Sequence, residues 1–275
     1  MNQKETAEHQ GERQHQNPLQ GYRVEEKWCG EKESGIYGQL FIPERADRGE
    51  KVPLVLFCHE LYRDHRSGIP YGCELAKRGY AVYTFDCRGA SKDSKSPGSM
   101  LNMSVMTCMR DLMEVYREAL SWSFVEKKNV FAIGASQGAF STAIAAALSP
   151  DAFAGIVLMY GAYVIMDDVR DMFADRESVP DPFDYKGWSM MGACYLTDLW
   201  DFDFRELSEY GGPVLVLHGD EDPLVDPSYS RRVAKIYQNA DFYVIKGGRH
   251  GFKKEAFSRA FDIIYPFLVK NTEFS

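Results

Sequence analysis

Asn129 to Ala147 reads NVFAIGASQGAFSTAIAAA. An apolar run, Val130 to Ile133, meets Gly134-Ala135-Ser136-Gln137-Gly138 and passes at once into a stretch of small residues with helical character. G-x-S-x-G between a strand and a helix implies a sharp turn that strains the serine backbone and lifts its hydroxyl clear of the sheet. Gly134 and Gly138 are small in this reading because a side chain at either place would strike a neighbouring strand or helix. The helix start also directs the Gln137 N–H, and the positive end of the helix dipole, at any oxyanion formed beside Ser136. The same letters also fit a plain glycine-rich turn between a strand and a helix. The rest of the chain decides between the two.

Working outward, Tyr22–Trp28 and Ile36–Pro43 read as an antiparallel hairpin edge. Pro53–Cys58 (PLVLFC) is continuously apolar, as a strand covered on both faces should be. Tyr71–Arg78 reads as a short helix, Tyr80–Phe85 as a second buried strand, and Ser104–Phe124 as a long amphipathic helix. Gly155–Tyr160 is another buried strand. The period breaks from Gly161 to Tyr210 and then resumes as strand Pro213–His218, helix Tyr229–Tyr237, strand Phe242–Ile245 and helix Lys253–Val269. Strands and helices alternating at this spacing predict an α/β fold, a mostly parallel central sheet with helices on both faces and a mid-chain cap insertion. The expected division is a disordered polar lead-in over 1–21, a core domain over 22–160 and 211–275, and a cap over 161–210.

A serine hydroxyl is a weak nucleophile until a base takes its proton, and an acid must hold that base in one tautomer. An acidic turn, His218-Gly219-Asp220-Glu221-Asp222, follows directly on the strand Pro213–His218. Asp222 is the candidate acid, with Asp220 and Glu221 as near alternatives in a turn that also reads as simply solvated. Gly247-Gly248-Arg249-His250-Gly251-Phe252 follows the last strand and supplies the candidate base, His250. The chain order Ser136, Asp222, His250 is the one that a nucleophile elbow on this architecture requires. His59 reads as ordering its own loop by hydrogen bonding, and His218 as structural. A second backbone donor for the oxyanion is expected from the loop after PLVLFC, at Leu61, to pair with Gln137.

The net charge of −8, with no lysine/arginine stripe, argues against a nucleic-acid partner. No apolar run approaches the length of a membrane span. The polar first twenty residues hold no hydrophobic segment, so a cytoplasmic protein is expected. The six cysteines are scattered without a CxxC pair and read as reduced, mostly buried thiols with no zinc site. No metal or organic cofactor is called for. The segment 161–210 is rich in aromatics, methionine and acids. It reads both as a roof that builds an acyl pocket over Ser136 and, more plainly, as side chains packing that roof down.

With these residues in place, the chain from about Tyr22 to Lys270 resembles the α/β-hydrolase superfamily. The resemblance rests on GASQG, HGDEDPLV, the GGRHGF loop and the His59-Glu60-Leu61 loop, and is greatest to the bacterial feruloyl (cinnamoyl) esterase group. It implies Ser136 as nucleophile, His250 as base, Asp222 as orienting acid, and the Leu61 and Gln137 amides as oxyanion hole. By position it implies Asp167 and Tyr195 as cap residues that meet the substrate's ring hydroxyls. Two departures stand out. The usual glycine after the histidine is replaced by Glu60, and Asp86-Cys87-Arg88-Gly89-Ala90-Ser91 lacks a later glycine. A carboxylate ~6 Å from a developing oxyanion would cost ~3 kcal/mol at an effective dielectric near 20. Glu60 is therefore expected to point away, to pair with Arg63 or Arg66, or to recognise a cationic group on the substrate.

The function expected from these residues is that of a serine carboxylic-ester hydrolase working through an acyl-enzyme, on aromatic or short-to-medium acyl esters. The rivals are a peptidase, thioesterase or amidase on the same fold, and a catalytically silent binding protein.

Overall fold

The computed structural model describes residues 21–273, so the expected lead-in lies outside the described residues except for Gly21. In chain order the elements are strands β1 (Tyr22–Cys29) and β2 (Ile36–Pro43), the single-turn helix α1 (Glu44–Asp47), and β3 (Val52–Cys58). Then come α2 (Ile69–Ala76), β4 (Ala81–Phe85), α3 (Val105–Ala119), β5 (Val125–Ala135), α4 (Gln137–Leu148) and β6 (Gly155–Met159). The segment that follows carries α5 (Ile165–Asp171), a small hairpin of β7 (Phe183–Tyr185) with β8 (Ser189–Met191), and α6 (Cys194–Thr197). Strand β9 (Val214–Gly219), α7 (Pro227–Ala234), β10 (Ala240–Ile245) and α8 (Glu255–Lys270) complete the chain.

Among the described residues, eight strands form one sheet in the order β1-β2-β4-β3-β5-β6-β9-β10. The β1–β2 and β2–β4 pairs are antiparallel and every other pair is parallel. The alternation along each strand sorts its side chains between two apolar layers. Leu54, Leu56 and Cys58 of β3 face the layer with α3, α4 and the aromatics of 161–210. Val55 and Phe57 face the layer with α2 and α8. Because neighbouring strands run parallel, β3, β5, β6, β9 and β10 all end on one side of the sheet. The loops that leave those ends converge there, which is where ligands bind in open α/β sheets.

The structure shifts several expected boundaries. The elbow strand begins at Val125, five residues before its apolar run, because Val52 of β3 already pairs with Val125. Helix α3 stops at Ala119 rather than Phe124, and Ser104 caps its start by accepting from the Thr107 N–H. Among the described residues, no helix is long and apolar enough to cross a membrane.

One expectation is corrected. Cys87 and Cys108 are joined by a disulfide, with Cα atoms 5.4 Å apart, because the loop after β4 packs directly on the first turns of α3. The Cys58 thiol lies 3.5 Å from the Cys108 sulfur in the same apolar layer. Scattered spacing hid this neighbourhood, since the three cysteines come from three different elements. The expectation of a reducing, cytoplasmic setting rested in part on thiols that all stayed free, and it loses that support.

Candidate active site

Ser136 sits at the end of β5 with φ 54° and ψ −116°, a left-handed strained conformation, and α4 begins at the next residue. Gly138 explains why the turn can be so tight. A β-carbon there would lie 2.2 Å from the Cys58 carbonyl oxygen and 2.5 Å from that of His59. One on Gly134 would lie 2.4 Å from the Gly138 oxygen. The elbow is fixed further by the Ser136 N–H, which donates to Met159 O at 2.9 Å, and by the Ala162 N–H, which donates to Ser136 O at 3.1 Å. The side chain is thus presented by backbone on all sides.

His250 lies on the loop between β10 and α8, and Asp222 on the loop after β9. His250 Nε2 is 2.8 Å from Ser136 Oγ, and His250 Nδ1 is 2.8 Å from Asp222 Oδ2. Nδ1 faces a carboxylate and so carries the proton, which leaves the Nε2 lone pair toward the serine hydroxyl. That is the tautomer a general base needs. The edge of the imidazole packs on the Tyr160 ring, centroids 5.2 Å apart, which restrains the ring plane.

The acidic turn sorts itself by partner. Asp220 accepts from the Gly247 N–H at 2.6 Å, and the Glu221 N–H donates to Gly248 O at 2.9 Å, so this part of the turn ties the two loops together. Asp222 alone turns inward. Its side chain is fully buried, and its Oδ1 accepts the Leu224 and Val225 N–H groups at 2.9 and 3.1 Å. Burial opposes its charge. The hydrogen bonds from His218 and His250 outweigh that and hold the carboxyl well below its ordinary value.

His218, which the sequence marks as structural, has a more specific place. It is fully buried at the end of β9. Its Nε2 lies 3.1 Å from Asp222 Oδ2 and 3.0 Å from Val225 O, two acceptors that fix the proton on that nitrogen. Its Nδ1 lies 2.7 Å from Ser230 Oγ on α7. The sequence did carry a signal, a histidine closing a buried strand four residues before the acid.

Leu61 and Gln137 both line the cavity that opens on Ser136. The Leu61 N–H meets no backbone acceptor among the described residues, whereas the N–H groups of Tyr62 and Arg63 are taken by Ala90 O and Glu60 O. His59 orders this loop as expected. Its Nδ1 sits 2.7 Å from Glu60 O, and its Nε2 accepts the Cys87 N–H at 3.0 Å.

Glu60 also lines the cavity. It is paired, but with neither arginine. The Tyr160 hydroxyl donates to Glu60 Oε1 at 3.0 Å, while Arg66 is held by Asp64 and Asp93. Tyr195 is fully buried and lines the cavity, and its hydroxyl donates to the Gln137 side-chain oxygen at 3.1 Å. Asp167 is not brought to the site, because its carboxylate accepts the Tyr229 hydroxyl on α7. The next residue, Asp168, faces the other way. It accepts from the Tyr185 hydroxyl and from Lys186 Nζ, both at 2.6 Å, and those two residues line the cavity. Helical phase near Ile165 cannot be set from a segment without a regular period, so the sequence does not show that Asp167 turns toward α7 instead of the cavity.

The cavity measures ≈ 830 Å³. Leu61, Val164, Ile165, Tyr185, Trp188 and Tyr195 give it an apolar and aromatic side toward the 161–210 segment. Among the described residues, two sets of metal-ligand types lie close together, Cys58/Cys87/Cys108 and Asp64/His65/Asp86. In the first, two sulfurs are bonded to each other. In the second, the carboxylates already take Arg66, His65 and the Lys95 N–H.

The profile of the prolyl oligopeptidase family (peptidase S9) matches residues 73–274. Dipeptidyl aminopeptidase BIII of Pseudoxanthomonas mexicana is 25% identical over 250 residues, covering 83% of this chain and 35% of that protein. The chain thus spans about a third of the length of that curated relative. Among solved structures, Est1E of Butyrivibrio proteoclasticus with ferulic acid bound is similar with a TM-score of 0.79 at 22% identity, covering 89% of this chain and 98% of that one. Acetyl xylan esterase 1 of Thermoanaerobacterium sp. reaches a TM-score of 0.65 at 18% identity, covering 95% and 87%. These likenesses place the fold among the α/β-hydrolases, as the sequence resemblance implied.

Proposed function

The chain belongs to the prolyl oligopeptidase family and is a serine hydrolase of α/β fold, and from that premise we propose that it hydrolyses small carboxylic esters through an acyl-enzyme. The observation that carries this reading is the hydrogen-bonded row Ser136–His250–Asp222 opening into an ≈ 830 Å³ cavity.

Ser136 Oγ attacks the ester carbonyl carbon, and its proton passes to His250 Nε2. The charge that develops on the carbonyl oxygen meets the Leu61 and Gln137 amides, an arrangement in which one donor is typically worth ~3 kcal/mol. The tetrahedral intermediate collapses, the bond to the leaving oxygen breaks, and His250 returns the proton to the departing alcohol. Water then attacks the acyl carbon while giving a proton to His250, the bond to Ser136 Oγ breaks to release the acid, and His250 returns the proton to Ser136 Oγ. Throughout, Asp222 keeps Nδ1–H in place and stabilises the imidazolium form of His250.

The aromatic side of the cavity favours an acyl group of the hydroxycinnamoyl type or a short-to-medium chain. A ring hydroxyl at its far end would meet Tyr185 and Lys186, which takes over the part the sequence gave to Asp167. The likeness to a ferulate-bound esterase supports this choice. A second reading, hydrolysis of an amide or peptide bond, is favoured by the family and by the aminopeptidase relative.

Both readings are tested on methyl ferulate, p-nitrophenyl acetate and octanoate, and alanyl p-nitroanilide, each with Ser136→Ala as control. Turnover of the esters, lost in the alanine variant, is the expected result. Turnover of the anilide alone moves the assignment to an amidase. No turnover, together with no labelling of Ser136 by a fluorophosphonate, overturns the enzyme reading.

A further inference from the structure

Glu60 replaces the glycine that the resemblance calls for, in the wall of the cavity that also holds Ser136. Among the described residues, one of its two carboxylate oxygens has a partner. Oε1 accepts the Tyr160 hydroxyl, whereas Oε2 is buried and has no hydrogen-bond partner among the described residues. The Tyr71 hydroxyl, on α2, lines the same cavity and is also buried without a partner, the residue being 4% exposed. A buried carboxylate oxygen left unpaired is among the more costly polar defects in a protein.

The surroundings narrow what would satisfy it. Four aromatic rings of the cavity wall gather near Glu60. Tyr160 packs on Phe252 with centroids 4.8 Å apart, and Tyr71 on Phe257 at 4.9 Å. The charge of Glu60 acts on the Tyr71 and Tyr160 hydroxyls, adding to burial in raising both. No cation of the protein lies within salt-bridge distance of Glu60 among the described residues, since Arg66 and Lys186 are engaged elsewhere and Arg63 and Lys253 are exposed. A single carboxylate and a phenol are too few ligands for a metal ion. They suit a group with several N–H donors and a positive charge, which aromatic faces also attract.

We propose that Glu60, with Tyr71, binds an ammonium group, so that the substrates of this site are esters or amides with a protonated amine close to the scissile carbonyl. This rests on the acyl-enzyme reading and names its substrate class. An ammonium has a hydrogen for Glu60 Oε2 and another for Tyr71 Oη, with the four rings closing around its alkyl arm. It also neutralises the carboxylate that would otherwise repel the oxyanion.

The test compares two pairs of esters of matched shape. L-alanine ethyl ester against ethyl isobutyrate places the amine on the acyl side. 3-Aminopropyl butyrate against butyl butyrate places it on the alcohol side. Values of kcat/KM are measured for wild type, Glu60→Gln and Glu60→Leu. In wild type the cationic member of one pair is expected to lead by about ten- to a hundredfold, the range of a charge-assisted hydrogen bond. Glu60→Gln is expected to remove that lead, the cationic member falling about tenfold or more while the neutral member holds level or rises as the repulsion of the oxyanion is relieved. Neutral esters cleaved with no cationic preference, or a preference that survives Glu60→Gln, overturns the proposal and leaves the esterase reading standing. Failure of all four esters and of fluorophosphonate labelling overturns both.

Discussion

Asp222 Oδ2 is shared by two histidines, His250 Nδ1 at 2.8 Å and His218 Nε2 at 3.1 Å. The first connects to the serine, while the second is locked into the core by Ser230 and the Val225 carbonyl. His218 therefore sets where the carboxylate sits, and His250 follows the carboxylate.

Replacing His218 with leucine removes a donor from Asp222 and leaves Ser230 without its partner. A loss of about 1–3 kcal/mol of stability is expected from the orphaned groups. Because Asp222 would also be free to shift, kcat on a neutral ester should fall about tenfold or more with little change in KM. Thermal unfolding and steady-state kinetics on the same preparation check both parts. A normal kcat would mean that the backbone amides of Leu224 and Val225 hold the acid unaided.

The two aspartates of the acidic turn should separate by effect. Asp222→Asn lets His250 adopt the wrong tautomer, and a loss of about 10⁴-fold in kcat is the expectation. Asp220→Asn only weakens the tie to Gly247 and should stay within about tenfold. The folded-state value of the Asp222 carboxyl is depressed, so its stabilising effect is fully present above the unfolded carboxyl's pKa of about 4. That effect is lost as pH falls through the folded value. Denaturant unfolding should show the gap between wild type and Asp222→Asn widest near neutral pH and narrowing steadily below about pH 4.

The Cys87–Cys108 bond makes a chemical prediction. Alkylation of the unfolded, non-reduced protein should modify Cys29, Cys58, Cys73 and Cys194, and prior reduction should expose the other two. A bridge closing a loop of this length is worth about 3 kcal/mol in the chain-entropy account, so Cys87→Ser should lower stability by an amount of that order. Peptide mapping would also reveal a pairing exchanged to Cys58, which sits 3.5 Å from Cys108.

How far the sequence could be read followed the range of the interactions involved. The elbow was legible because Gly134 and Gly138 are demanded by backbone a few residues away and by one adjacent strand. His250 and Asp222 were legible because parallel strands force their loops to one side of the sheet. The sequence favours Asp222 without excluding Asp220 and Glu221, since the difference is which way each side chain leaves the turn. Glu60 stands out in the sequence as a departure, yet its partner Tyr160 sits one hundred residues away at the end of a different strand. The disulfide and the phase of α5 were illegible for the same reason. Both depend on how separate elements pack, and periodicity within an element carries no record of that.

The elbow also offers a test in which geometry alone is changed. Gly138→Ala adds one methyl group, and that methyl group would fall 2.2 Å from the Cys58 oxygen and 2.5 Å from the His59 oxygen. Both atoms are backbone, so neither can swing aside as a flexible side chain would. Either α4 moves away from β3, which displaces the Gln137 amide, or the Cys58–His59 segment moves and carries Leu61 with it. Overpacking of this kind costs about 1–3 kcal/mol of stability. The larger effect should be on the reaction, because either route separates the two proposed oxyanion donors while leaving Ser136, His250 and Asp222 chemically intact. A fall in kcat of about a hundredfold or more is expected, the size of losing one donor. Labelling by a fluorophosphonate, which also builds charge on an oxygen held by these amides, should slow in parallel. Unchanged labelling with reduced stability would mean that the loop adapts elsewhere and that Leu61 is not one of the two donors.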